Sequence, residues 1–291
     1  MGMDSLNTKY YRARGELNME TKLPAVEPLL MTATINVGNT PYVKINNSEE
    51  RLLEYLCALI SWIKLTPVNQ IIFCENSQTD YDFHKIQQFA KDEGKNLEVL
   101  VFDGNREAQR YGKGYGEGKI IKYAIERSYH LNDAINFYKI TGRLFIPEFG
   151  QIQQQYAQFY NVFKIHQSAA KKKVFESSIS LYKETFKYYL FSLKTRGFKA
   201  PHNPNVYVNA AFFKSNVAFY KKNMMNSYKR VNDKVGYYLE HAYYDDLIGK
   251  NFTSMDTKYD IIGRSGSRGH VFAGDYSDEI KKIAKTFIKG R

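Results

Sequence analysis

LLMTATI, Leu29–Ile35, is the stretch on which the fold turns. It is apolar apart from two threonines and shows no polar alternation, which marks a short strand buried on both faces. It ends at Asn36-Val37-Gly38-Asn39, a polar loop with a glycine. Working outward, QIIFCE at Gln70–Glu75 and LEVLVF at Leu97–Phe102 repeat the pattern, the latter closed by Asp103-Gly104-Asn105. Between the first two runs, Ser48-Glu49-Glu50 reads as a helix start with Ser48 or Asn47 as its cap. Leu52, Leu53, Leu56, Leu59, Ile60 and Ile63 give that helix one broad apolar face. Tyr81–Glu93 is the second helix, with Phe83, Ile86, Phe89 and Ala90 facing inward. The order β-α-β-α-β predicts an α/β fold whose mainly parallel sheet is covered by helices on both faces. Right-handed crossovers place the loops after all three strands at one edge, where ligands of open α/β sheets bind.

Beyond this core the sequence predicts a helix over Glu117–Ser128, a strand over Ala134–Ile140 and a second over Leu144–Ile146, ended by Pro147 and Gly150. Val174–Leu181 reads as a strand, and Lys183–Leu193 fits either a helix or a long strand. Val206–Lys214 reads as a strand, Ser215–Met225 as a helix, and Asp233–Leu247 as a helix with an aromatic face. Ser277–Lys289 is an amphipathic terminal helix carrying Ile280, Ile283, Ala284, Phe287 and Ile288. The expected organisation is a polar leader over 1–27 and a single domain over 28–291. Within that domain, 28–150 form the first half, 151–276 a less regular second half and 277–291 the terminal helix.

Composition narrows the class. The 291 residues are 43% hydrophobic, too many for a disordered chain, and no apolar run approaches the length of a membrane span. The opening MGMDSLNTKYYRARGELNME lacks the apolar region of a secretory signal. Cys57 and Cys74 lie in apolar settings without metal or redox spacing, which fits a reducing compartment. The formal charge of +12, from 42 Lys+Arg against 30 Asp+Glu, favours an anionic partner: a nucleic acid, an acidic membrane surface or a phosphorylated substrate. The six histidines are scattered, and no carboxylate–histidine cluster for zinc accompanies them.

Several segments carry candidate chemistry. Thr34 at the first strand's end and Glu75-Asn76-Ser77 at the second's are placed to hydrogen-bond a nucleoside. Asp103, at the third strand's end, suits a metal or a ribose hydroxyl, and equally an Asx turn. Tyr111-Gly112-Lys113-Gly114-Tyr115-Gly116-Glu117-Gly118 reads as a glycine-rich turn opening a helix. Its N–H groups, with Lys113, Gly114 and Gly116, suit a phosphate, although a loop without a ligand has the same composition. Lys139-Ile140-Thr141-Gly142-Arg143 sets two cations in an apolar strand. Buried charges need partners, so Lys139 and Arg143 meet either internal carboxylates or substrate phosphates. Glu240 and His241 flank an aromatic stripe, where either suits a general base if it faces the cleft. Arg264-Ser265-Gly266-Ser267-Arg268-Gly269 suits a phosphate through Arg264, Ser265 and Ser267, or is a surface loop.

Taken together, LLMTATI, IIFCENS, YGKGYGEG, FYKITGRLFI over 137–146, YYLEHAYYDDL and IIGRSGSRG give the chain a family likeness. It resembles the GT-A-like, nucleotide-sugar-dependent glycosyltransferases of bacterial capsule and lipopolysaccharide synthesis. The resemblance implies a Rossmann-like nucleotide-binding half and an acceptor-binding remainder, with Thr34 and Glu75 near the base and ribose. Such folds usually hold a divalent metal on an Asp-x-Asp at a strand end. Here the equivalent strand carries Lys139 to Arg143, so no metal ligand is assigned, and Lys139 or Arg143 is expected to neutralise the phosphate leaving group. Glu240 resembles the position of the base that deprotonates the acceptor, with Asp103 and Glu117 as alternatives. The implied substrates are a nucleotide-sugar donor and a saccharide or lipid-linked glycan acceptor. The expected location is cytoplasmic, and the terminal helix either packs on the body or touches an anionic membrane face. The rival readings are a nucleotidyl- or polyol-phosphate transferase, a membrane-surface protein without catalysis, and a basic nucleic-acid-binding protein. The last is disfavoured because no recognition-helix, zinc-finger or RNA-binding sheet signature is present.

Overall fold

The computed structural model describes residues 27–40, 43–167, 202–203, 205–233, 236–266 and 269–289. The expected elements at Val174–Leu181 and Lys183–Leu193, and the leader before residue 27, lie outside the described residues. The first half alternates as the apolar runs predict. Strand β1 (Leu29–Ala33) is followed by α1 (Ser48–Leu65), β2 (Gln70–Glu75), α2 (His84–Asp92) and β3 (Asn96–Val101). Helix α1 begins where a side chain satisfies its first turn: Asn47 Oδ1 accepts the Glu50 N–H at 2.9 Å, with Glu49 and Glu50 at the positive end of the helix dipole. Next come α3 (Arg106–Tyr111), α4 (Lys113–Arg127), α5 (Tyr129–Asp133), β4 (Asn136–Thr141), β5 (Leu144–Phe145) and α6 (Phe149–Gln155). The remainder comprises β6 (Val162–Phe163), β7 (Ile165–Gln167), β8 (Val206–Val208), β9 (Phe212–Asn216), α7 (Val217–Asn223), a 3-10 turn at Ser227–Arg230, α8 (Leu239–Leu247), β10 (Thr253–Ser254), β11 (Ile262–Gly263) and α9 (Asp278–Lys289).

Among the described residues these strands form a seven-stranded sheet in the order β10-β6-β9-β4-β1-β2-β3. Strands β4, β1, β2 and β3 are mutually parallel, with Met31 opposite both Phe73 and Ile140. Strand β9 runs antiparallel to β4 and β6 and joins the second half to the first. The sheet buries both faces, which explains the unbroken apolar runs. Met31, Ile71 and Phe73 pack toward α1, α2 and α9, while Leu30, Ile72 and Cys74 pack toward α4, α7 and α8. A mainly parallel, Rossmann-like sheet flanked by helices is thus the observed class.

Three expectations need correction. The glycine-rich turn at Tyr111–Gly118 is mostly helix: α4 starts at Lys113 and carries Gly114, Gly116 and Gly118 on buried faces. The expected strand Val206–Lys214 is two strands, because Asn209 Oδ1 accepts the Ala211 N–H at 3.0 Å and turns the chain between them. The helix expected from Asp233 starts only at Leu239, since Gly236 adopts φ 79° and folds the preceding segment back. Helix α9 meets its expected span, and its apolar face is already occupied. Ile280 and Ala284 are buried against the core that includes α1, with Ile283, Phe287 and Ile288 packed beside them. A leaflet would therefore meet only its lysine-bearing side. Among the described residues, no helix is long and apolar enough to cross a membrane.

Candidate functional site

A cleft opens at the carboxyl edge of the parallel strands. Its floor is Thr32, Ala33 and Thr34 from the end of β1, Thr141 from β4, and Arg143 and Leu144 beyond it. Arg51 and Tyr55 of α1 close one side, and Lys113, Gly116, Glu117 and Ile120 of α4 the other. Glu240, in the first turn of α8, and Arg264, Ser265 and Gly266 complete the rim.

The strand end that forms the floor is held by side chains. The Arg51 guanidinium donates to the Thr34 carbonyl from Nε at 2.8 Å and Nη2 at 2.6 Å, and from Nη1 to the Ile45 carbonyl at 3.0 Å. Tyr55 Oη accepts the Thr34 N–H at 2.9 Å. Thr34 Oγ1 donates to Asn76 Oδ1 at 2.6 Å, and Asn76 is itself fully buried. Such bonds satisfy backbone groups that leave the ladder where the sheet stops, and they fix the floor's shape.

Helix α4 approaches the cleft closely because its glycines let other segments touch it. A Cβ on Gly118 would lie 2.3 Å from Tyr228 Cβ, and one on Gly116 would lie 2.9 Å from Ala108 Cβ. Gly112, at φ 111°, is the hinge between α3 and α4, and a Cβ there would fall 2.1 Å from the Asp233 carboxylate. Asp233 accepts the Lys113 N–H at 3.0 Å and so caps α4. Burial, reinforced by the nearby charge of Glu240 and opposed by Lys113, raises the Asp233 carboxyl to about 6.

Of the residues singled out in the sequence, Thr34, Lys113, Gly116, Glu117, Glu240, Arg143, Arg264 and Ser265 line this cleft. Arg264 reaches Glu50 at 3.4 Å and Asp275 at 3.5 Å, both exposed pairs of little energetic weight. Ser267 lies outside the described residues.

The other assignments change. Lys139 does not face a phosphate: it is fully buried, bonded to Glu117, and donates to the Ala210 carbonyl at 2.6 Å and Thr141 Oγ1 at 3.3 Å. Arg143, although on the cleft wall, is paired with Glu54 at 2.9 Å, and both side chains are buried. Internal carboxylates therefore neutralise both cations, as buried charge demands. Glu75 is not among the cleft residues. It is fully buried and accepts the N–H groups of Ile35 and Ser77, each at 2.9 Å, together with the Ser77 hydroxyl. It staples two strand-end loops. Asp103 pairs with Arg106 at 3.0 Å and is not among the cleft residues, and Gly114 packs against Leu239.

The sequence assigned no role to Arg51, Tyr55, Thr141, Asn105 or Asp233. Arg51 carried a signal, since it stands on the face of α1 that continues through Tyr55, Leu59 and Trp62. A cation at the end of an apolar helical stripe needs a buried acceptor. Among the described residues, no group of three or more metal-capable side chains is present.

No protein-family model matches the sequence. No curated protein matches it. Among solved structures, the chain is similar to core-mannan synthase A from Aspergillus fumigatus, in its Mn/GDP form, at 9% identity and TM-score 0.42, over 97% of this chain and 91% of that one. It is similar to the galactosyltransferase LgtC, bound to donor and acceptor sugar analogues, at 8% identity and TM-score 0.45, over 76% of this chain and 70% of that one. It is also similar to a glucose-1-phosphate thymidylyltransferase described as putative, from Bacillus anthracis, at 7% identity and TM-score 0.43, over 89% of this chain and 94% of that one. Likenesses this distant carry no argument, and the fold stands on the strand order and register given above.

Proposed function

We propose that this chain is a glycosyltransferase that moves a sugar from a nucleotide-sugar donor to a saccharide or lipid-linked glycan acceptor in surface-polysaccharide synthesis. One observation carries the reading. The cleft lies at the carboxyl ends of parallel strands, where doubly wound sheets bind nucleotides, and it sets Lys113 and Arg264 on the same cavity as the carboxylate Glu240. The family resemblance of the sequence supports the same choice over a nucleotidyltransferase.

In this reading Glu240 takes the proton of the acceptor hydroxyl as that oxygen bonds to the anomeric carbon. The bond from that carbon to the phosphate oxygen breaks, and its electron pair leaves with the nucleotide. Lys113 and Arg264 stabilise the charge developing on the leaving phosphate, the task first expected of Lys139. Arg51, Tyr55 and Asn76 act by holding the floor rigid. The net charge of +12 and the lysine-bearing side of α9 suit an acceptor presented at an anionic leaflet, with electrostatic contact only.

A thermal-shift panel of uridine-, guanosine-, thymidine- and cytidine-linked sugars, with and without divalent cations, tests the proposal. Stabilisation by the sugars of one nucleotide is expected. Stabilisation by none of them, together with salt-dependent binding of oligonucleotides, would overturn it in favour of a nucleic-acid partner.

A further inference from the structure

The notable group on the α4 side of the cleft is an anion, Glu117, and it is held by Lys139, the lysine expected to face a phosphate. Glu117 Oε1 accepts Thr32 Oγ1 at 3.2 Å and Thr141 Oγ1 at 3.0 Å, and the Lys139 ammonium closes on the same oxygen. Oε2 takes no donor from any described residue, and the Glu117 side chain keeps 21% of its surface exposed where it lines the cleft. One oxygen is thus saturated from below, and the other faces the crevice.

Burial works against charge on this carboxyl, but Lys139 beside it, aided by the Thr141 hydroxyl, holds it below the usual carboxylate range. An ionised oxygen that is fixed in place is a strong hydrogen-bond acceptor. Three kinds of group satisfy it: a cation, a neutral N–H or a hydroxyl. Lys139 already cancels the charge, so the pair presents no net negative field. No third metal-capable side chain joins it among the described residues. A neutral donor fits best, and the ring hydroxyls are the neutral donors that every nucleotide sugar carries. The register supports this placement, because Thr32 and Thr141 are paired neighbours on β1 and β4 at the point where the parallel ladder ends.

We propose that Glu117 Oε2 accepts a ring hydroxyl of the nucleotide-sugar donor and selects donors by that hydroxyl, with Lys139 as the positioning residue beneath it. The inference rests on the nucleotide-sugar reading above. The hydroxyl belongs either to the transferred sugar or to the ribose, and the two are chemically equivalent toward a carboxylate.

The test uses titration calorimetry on the full chain with the tightest-binding nucleotide sugar of the panel. Its analogues lack one hydroxyl at a time, first on the sugar and then on the ribose. Removing one particular hydroxyl is expected to weaken binding about 10- to 100-fold, and the ring on which that happens identifies the source. The double variant Glu117→Leu Lys139→Met leaves neither a lone buried cation nor an acceptor oxygen at position 117. In it the same removal is expected to change affinity by less than about twofold, since the coupled partner is gone. Wild-type protein that tolerates every single removal would overturn the proposal without any variant. So would a folded double variant that keeps the discrimination. Both results leave the nucleotide-sugar reading intact, whereas failure of every nucleotide sugar to bind removes the reading and the Glu117 proposal together.

Discussion

Gly118→Ala distinguishes by sign alone between a helix packed through its glycines and a glycine-rich turn. Gly118 is buried on α4, and a Cβ added there would lie 2.3 Å from Tyr228 Cβ and 3.1 Å from its Cγ. Carbon atoms in ordinary contact stand at about 3.5 Å or more, so α4 and the 3-10 turn carrying Tyr228 must part by about 1.2 Å. Neither atom is the end of a flexible side chain, and the strain falls on two backbones. Overpacking of this kind costs about 1–3 kcal/mol, here toward the upper end. Alanine returns about 1 kcal/mol through its better helix propensity. The balance is a loss of about 2 kcal/mol. In a flexible turn the same substitution would stabilise by about 0.4–1 kcal/mol, because it restricts the unfolded chain. Urea unfolding followed by far-ultraviolet circular dichroism reads the difference as a lower midpoint at unchanged slope. A midpoint that stays or rises would refute the packing argument.

Two further predictions concern buried charge. Glu54→Ala leaves Arg143, whose side chain is 6% exposed, without its carboxylate, and is expected to cost about 3 kcal/mol in urea unfolding. A cost under about 1 kcal/mol would show that the pair does not neutralise Arg143. Asp233 titrates at about 6 in the folded chain against 3.8 ordinarily, so between these values the folded state holds a proton that the unfolded state has lost. Its contribution is full below the lower value and is lost as pH rises through the upper one, about 2 to 3 kcal/mol in all. Asp233→Asn keeps an acceptor for the Lys113 N–H and should flatten the fall in stability between about pH 4 and pH 6. A variant with the wild-type slope would assign that pH dependence elsewhere.

The three strands from Leu29 to Val101 were legible because a sheet buried on both faces leaves apolar runs with few interruptions. The same logic failed where a local signal has two physical uses. Glycine marks turns, but Gly114 and Gly118 lie four residues apart on one helical face, and close packing is what they serve. Asn209 and Gly236 were the unheeded breaks in an otherwise plausible strand and helix. The cleft's position followed from strand order, which also pointed to Thr34, whereas Lys113 was named from the glycine-rich segment and Glu240 from the family resemblance, and all three line the cleft. Pairing was not legible. Arg143 and Glu54 are separated by 89 residues, and nothing in either neighbourhood names the other. The rule that a buried cation needs a partner was sound, and only the fold could choose a carboxylate over a phosphate.

The central claim is that Glu240 removes the acceptor's proton in a nucleotide-sugar cleft. Donor consumption by wild-type protein and by Glu240→Gln, measured beside donor affinity, tests it most directly. Wild type is expected to consume donor, and the variant to lose about 100-fold or more with unchanged affinity, as for removal of a general base. A wild-type chain that consumes no nucleotide sugar, or a folded variant that turns over at the wild-type rate, would contradict it.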